Sequence, residues 1–124
     1  MEIQELLSTI KDAAFDVRLA LAYGYLESVY KHALAYELHL RGLKADIEYP
    51  IKVYYKNIVV GEFRADIFVE ESVIVELKTC AKLVPAHEAQ LVNYLRATGI
   101  DYEYLINYGS EKFQIRVKTR EYTP

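Results

Sequence analysis

Phe63-Arg64-Ala65-Asp66-Ile67-Phe68-Val69-Glu70-Glu71-Ser72-Val73-Ile74-Val75-Glu76-Leu77-Lys78-Thr79 reads as two strands around a polar turn. Phe63 to Val69 and Val73 to Thr79 are rich in β-branched and apolar residues, and Glu70-Glu71-Ser72 joins them as a hairpin. A turn centred near Glu71 sets Asp66 opposite Glu76. Side chains two apart on a strand share a face, so Arg64, Asp66, Glu76 and Lys78 project from one side. Ala65, Ile67, Val69, Val73, Val75 and Leu77, all apolar, take the other. Two neighbouring carboxylates repel unless a proton or a cation sits between them. Magnesium takes oxygen ligands, typically one or two carboxylates plus water. The alternation also suits a wet sheet face, where the same charges would form surface ion pairs of little energetic weight.

Upstream, Ile3, Leu6, Leu7, Ile10, Ala14, Val17 and Leu21 recur at three and four and predict a helix from about Glu2 to Ala22. Tyr23-Gly24 interrupts. A second helix is expected from about Tyr25 to Arg41, with Leu26, Val29, Tyr30, Ala33, Leu34 and Leu38 as its apolar stripe and Gly42 as its stop. Asp46 to Tyr55 reads as a strand whose Pro50 marks an edge or a bulge. Lys56-Asn57 is a tight turn into a further strand at Ile58 to Val60. Downstream, Pro85 to Thr98 forms a helix with proline in its first turn and Gly99 at its end. Tyr102 to Asn107 and Lys112 to Lys118 close the series as strands. The order implies an α/β sheet with helices packed on it. With no repeat or linker, residues 1–124 read as one domain.

Composition bounds the chemistry. A net charge of −3 and a pI near 5.6 argue against gripping nucleic acid by bulk electrostatics. They leave room for an enzyme whose carboxylates are neutralised by a cation. Cys80 is the one cysteine, so neither an intrachain disulfide nor a multi-cysteine metal site is available, and a reducing cytoplasm is the expected setting. Cys80 itself reads as a small buried thiol. The amino terminus lacks the basic region of a signal peptide, and no apolar run is long enough to span a membrane. There is no glycine loop to cradle a nucleotide phosphate and no compelling Ser/His/Asp or Cys/His grouping. Of twelve tyrosines, Tyr49, Tyr54, Tyr55, Tyr102, Tyr104 and Tyr108 lie in or beside strands. They reflect β-propensity, or else a dimer surface or base-stacking platform.

Two helices add polar residues where packing is expected. Glu27 and Lys31 share a face with Tyr30 and Leu34, and His87 and Gln90 share one with Leu91 and Tyr94. Polar groups on a packing face need partners. A common active site would supply them, as would an amphipathic boundary with snorkelling side chains.

Asp66 followed by Glu76-Leu77-Lys78 resembles the split PD-(D/E)xK motif of restriction-endonuclease-like nucleases, with Ala65 in place of the proline. Gln90-Leu91-Val92-Asn93-Tyr94 resembles the QxxxY element of the RecB-type branch. Gly24-Tyr25-Leu26-Glu27-Ser28-Val29-Tyr30 resembles the GxxExxR family of small bacterial and archaeal nuclease-like proteins, with Tyr30 in place of the arginine. Leu34-Ala35-Tyr36-Glu37-Leu38 and His87-Glu88-Ala89-Gln90-Leu91 extend the likeness over nearly the whole chain. The resemblance implies a restriction-endonuclease-like core, a mixed central β-sheet flanked by helices, and a nuclease dependent on Mg²⁺ or Mn²⁺ that acts on nucleic acid, DNA ahead of RNA. It implies that Asp66 and Glu76 hold the cation with the Leu77 carbonyl, that Glu27 reaches in directly or through water, and that Lys78 orients the attacking water. Gln90, Tyr94, His87 and Arg64 would contact substrate or support the site. Independently of the resemblance, a domain this small would gain binding surface by pairing as a homodimer. The alternative on the same scaffold is a non-catalytic nucleic-acid-binding or dimerisation module.

Overall fold

The structure, a computed structural model, describes residues 1–120. The described elements are α1 (Ile3–Leu21), α2 (Glu27–Leu40), β1 (Ala45–Tyr55), β2 (Ile58–Val69), β3 (Val73–Lys78), α3 (Pro85–Thr98), β4 (Tyr102–Asn107) and β5 (Gln114–Thr119). The strands form one mixed sheet in the order β1-β2-β3-β4-β5, in which only β3 and β4 run parallel. A parallel pair needs a crossover, and α3 supplies it. The fold is thus α/β, with a mixed central sheet flanked by helices. No described helix is long and apolar enough to cross a membrane.

The pleat separates two cores. Val73, Val75, Leu77, Tyr104 and Ile106 face α1 and α2, where Leu6, Ile10, Ala14, Leu34 and Leu38 meet them. Ile74 and Leu105 face the other way, toward Leu95 and Leu91 of α3. Tyr30 fixes the entry to α2. Its buried hydroxyl donates to the Ala22 carbonyl at 2.8 Å and accepts the Tyr25 N–H at 3.1 Å, and its ring stacks on Tyr108 at 4.6 Å. The α2 stripe is narrower than its sequence suggests. Leu26, which precedes the helix, and Val29 are exposed, and Tyr30, Leu34, Ala35 and Leu38 carry the packing.

Three other expectations are corrected. Ile58–Val60 and Phe63–Val69 are one continuous strand, since Gly61 keeps its place in the ladder opposite Val53. The last strand starts at Gln114 and not Lys112, because the Ser110 and Glu111 carbonyls turn to the Arg18 guanidinium at 2.8 and 2.7 Å. Ala65 does not share the core of Ile67 and Val69; it packs with Phe68, Ile74 and Leu95 on the α3 side. The switch has a local cause. The β1–β2 ladder skips the rung between Glu48 and Asp66, and Glu48 lies at φ +54°, a left-handed conformation unusual for a glutamate. Local distortions of this kind re-aim side chains and break simple alternation. Pro50 lies in edge strand β1, where a missing N–H is tolerated.

Candidate metal and active site

β2 and β3 pair at Val69↔Val73, Phe68↔Ile74 and Ile67↔Val75. Beyond Ile67 and Val75 the strands part, and side chains replace the main-chain ladder. Glu76 Oε1 accepts the Asp66 N–H at 3.0 Å, and Asp66 Oδ2 accepts the Leu77 N–H at 2.8 Å. Each carboxylate thus commits one oxygen to a main-chain N–H of the opposite strand, and the two carboxyls face each other across the fork. The Leu77 carbonyl points to the same side of β3 as its N–H, toward Asp66. The Lys78 carbonyl points away and accepts the Tyr108 N–H at 2.9 Å.

The electrostatics at this fork are frustrated. Burial holds the Glu76 carboxyl well above the ordinary carboxylate range, and the Asp66 charge pushes it further. The Asp66 N–H pulls it back, a side-chain hydrogen bond to Asp66 raises it again, and Lys78 lowers it. Glu27 opens α2, half-buried. Burial raises its pKa first, then Asp66; Lys78 and Lys31 lower it. Glu27, Asp66, Lys78 and Lys31 therefore share one electrostatic neighbourhood. Lys31 is ion-paired to Glu48, the left-handed residue opposite Asp66.

Among the described residues, no three His, Cys, Asp or Glu side chains converge closely enough to hold a metal ion. The expected trio of Asp66, Glu76 and Glu27 does not close into one cluster; Asp66 and Glu76 form a pair. The donor chemistry of that pair still fits a hard cation. Two carboxylates and a carbonyl are oxygen ligands of the kind magnesium takes while keeping several waters, and they lack the nitrogen and sulfur donors that zinc favours.

The remaining sequence-derived residues have other attachments. Arg64 is exposed, with Nε 3.4 Å from Glu62 Oε1 and Nη1 donating to the Glu48 carbonyl at 3.4 Å. His87 closes the start of α3: its Nδ1 accepts the Val84 N–H at 3.4 Å, and its own N–H donates to the Val84 carbonyl at 3.0 Å. The Tyr94 ring stacks on Phe63 with centroids 4.0 Å apart, and Gln90 is exposed. Among the described residues, no hydrogen bond or ion pair ties these four to either carboxylate.

Sequence reasoning missed two features beside the fork. Glu103 on β4 is fully buried, both carboxyl oxygens lack a hydrogen-bond partner among the described residues, and burial followed by the charge of Glu76 raises its pKa to about 9. A lone charge inside Tyr102-Glu103-Tyr104-Leu105-Ile106 was the available signal. The second is a latch. Buried Asn107 accepts the Cys80 and Gly109 N–H groups on Oδ1 at 3.1 and 2.9 Å. Its Nδ2 donates to the Cys80 carbonyl at 2.9 Å and to Gln114 Oε1 at 3.0 Å. Gly109 packs so closely that an added Cβ would sit 2.3 Å from the Cys80 nitrogen and the Thr79 carbonyl carbon. The latch fixes the chain just past Lys78.

The tyrosine surplus is partly structural as well. Tyr104 and Tyr108 are buried, with hydroxyls donating to the Leu7 and Ala14 carbonyls at 2.7 and 2.9 Å, so neither offers a stacking surface. Tyr54 and Tyr55 remain exposed.

No curated protein and no solved structure matches the chain significantly. The family profile described as the PD-(D/E)XK nuclease superfamily matches residues 4–120, taking in α1, the fork, α3 and the last strand. A mixed sheet carrying an aspartate and a Glu-Leu-Lys triplet across one hairpin is what that profile spans here, and the chain belongs to the PD-(D/E)XK nuclease superfamily.

Proposed function

We propose that this chain is a divalent-cation-dependent nuclease that hydrolyses phosphodiester bonds of nucleic acid, DNA ahead of RNA, and that it stands with the GxxExxR group of its superfamily. The observation that carries this reading is the fork, where the Asp66 and Glu76 carboxyls face each other and each locks the opposite strand with one oxygen. A buried glutamate beside a half-buried aspartate is costly unless something positive joins them. In this reading Asp66, Glu76 and the Leu77 carbonyl hold Mg²⁺ or Mn²⁺, which when bound supplies charge neutralisation and a more acidic water. Glu76 gives up its proton to do so. Glu27 orients water from the end of α2. Lys78 steadies the attacking water and offsets the negative charge that builds on the phosphoryl oxygens. Arg64, Gln90 and His87 face the substrate, and Tyr94, set by Phe63, forms part of the wall. Tyr30, in the arginine's place, anchors α2 through the Ala22 carbonyl and the Tyr25 N–H, so phosphate contacts fall to Arg64 and Lys78.

Manganese- or magnesium-dependent cleavage of single- and double-stranded DNA and of RNA tests this, with Asp66→Ala and Lys78→Ala alongside. Each substitution should lower cleavage by about 10²–10³-fold, the scale for removing one preorganised charge-stabilising group. Cleavage that survives both would place the activity elsewhere. The pairwise rather than three-fold gathering of acidic side chains favours the second reading, a non-catalytic nucleic-acid-binding or dimerisation module. A calorimetric response to manganese that disappears in Glu76→Ala separates the enzyme from that module.

A further inference from the structure

Helix α2 is apolar on two sides. Tyr30, Leu34, Ala35 and Leu38 are buried in the core. Leu26, at its N-cap, and Val29, Ala33, Tyr36 and Leu40 follow at intervals of three, four, three and four. This second stripe runs along the outside: Leu26, Tyr36, Leu40 and Val29 are 77, 66, 63 and 37% exposed. A surface helix turns polar residues to water, whereas a helix that is apolar all round is covered.

Beside the stripe lies a groove of about 240 Å³, walled by Val17, Ala20 and Leu21 of α1 and by Ala33, Tyr36 and Leu40 of α2. The charges that border it are matched within the chain, since Arg41 pairs with Glu37 at 3.2 Å and also with Asp16. Covering the groove therefore buries no unpaired charge.

Spacing and order identify what covers it. A three-four repeat is the spacing at which two helices interlock side by side. Ala33 stands at its centre, with Leu26 and Leu40 seven residues to either side and Val29 and Tyr36 at four and three. A small central residue lets two backbones approach, and large residues at matching distances fill the space beyond it. An antiparallel copy of the same stripe reproduces that order; a foreign partner has no need of it. A two-fold contact of this kind is self-complementary and closes at two copies. The four exposed side chains leave about 450 Å² open. An interface is little more than half apolar, so that patch corresponds to about 800 Å² per chain, the standard size for a stable pair.

We propose that the chain pairs with a second copy through α2, antiparallel across a two-fold axis at Ala33, so that Leu26 meets the partner's Leu40. The pairing stands apart from the nuclease reading.

Light scattering of the full chain from about 1 to 100 µM should show the mass rising from the 14.4 kDa of one chain toward twice that value. Leu26→Glu and Leu40→Lys change exposed positions and should leave the single chain folded by circular dichroism. Each should weaken pairing about 100-fold or more, because a two-fold contact loses the residue twice. Mixed in equal amounts, the two variants should pair again, since the antiparallel register sets the introduced charges against each other. Val29→Glu with Tyr36→Lys makes a second such pair, should either of the first two fail to fold. A natural chain that stays monomeric at about 100 µM, variants that pair like the natural chain, or a mixture that stays monomeric would each overturn the proposal. Variants that pair undiminished would move the contact to another surface, such as the exposed Tyr55 and Ile58 of the β1–β2 ribbon.

Discussion

The two faces of the sheet bury polar groups in opposite ways. Toward α1 and α2, the hydroxyls of Tyr104, Tyr108 and Tyr30 reach the carbonyls of Leu7, Ala14 and Ala22, at 2.7, 2.9 and 2.8 Å. Every one of these buried groups is satisfied. Toward α3, the buried Glu76 shares its neighbourhood with Asp66, and Glu103 has no hydrogen-bond partner among the described residues. The first face follows the rule that buried polar groups are paired. On the second, Asn107 is satisfied by four hydrogen bonds but Glu103 breaks the rule, and local rules are broken chiefly where function compensates. The difference separates residues that hold the fold from residues available for chemistry.

The contrast breaks most visibly on the satisfied face. Tyr108→Ala removes a fully buried ring that stacks on Tyr30 and packs at a tilt against Phe113. It should cost about 3–5 kcal/mol, the range for deleting a large buried aromatic, read by urea denaturation. A loss below about 1 kcal/mol would show that this face is not the structural one.

On the frustrated face the sign reverses. Glu103→Leu removes an unpartnered carboxyl and should stabilise the chain by about 1–3 kcal/mol at pH 8. The pH dependence follows from linkage. Glu103 has a folded pKa of about 9 against an ordinary value of 4.5, so the folded state binds its proton more tightly. Its stabilising contribution is complete below pH 4.5 and is lost as pH rises toward 9, with a slope of at most about 1.4 kcal/mol per pH unit. Thermal melts of the natural chain should therefore fall across that window, and those of Glu103→Leu should fall less. Parallel profiles would remove Glu103 from the account. In the proposed function Glu76 loses a proton when the fork takes a cation, which gives a second pH test. The manganese-induced rise in melting temperature should grow with pH.

The smallest effect expected is that of Tyr104→Phe, which keeps the ring and deletes one hydroxyl. It should cost about 1 kcal/mol and leave cleavage unchanged. A drop in cleavage would show that the α1 face reaches the site.

Much of this was legible in the sequence. Pro85 and Gly99 bracket α3 where composition puts them, and the fork residues follow from counting outward from Glu70-Glu71-Ser72. The faces of the hairpin were not fully legible. Alternation put Ala65 with Ile67, and the distortion at Glu48 and Asp66 parted them. A left-handed glutamate carries no compositional mark of the kind glycine gives. Tyr104 and Tyr108 were equally opaque, since a tyrosine that packs and one that stacks on a base look alike until the carbonyl it meets is known.

By itself the sequence determined the element types, the hairpin that sets Asp66 against Glu76, and the likeness to a nuclease superfamily, because periodicity, turn residues and motif order are local along the chain. Tertiary structure alone decided that β2 and β3 part beyond Ile67 and that carboxylates take over their ladder. It also decided that Glu27 and Lys31 share the field of Asp66, that Glu103 is left without a partner, and that Asn107 and Gly109 clamp the end of β3. Those facts depend on which groups remote segments bring together and how completely they exclude water, and burial and Coulomb energy depend on distances in space that no spacing along the chain records.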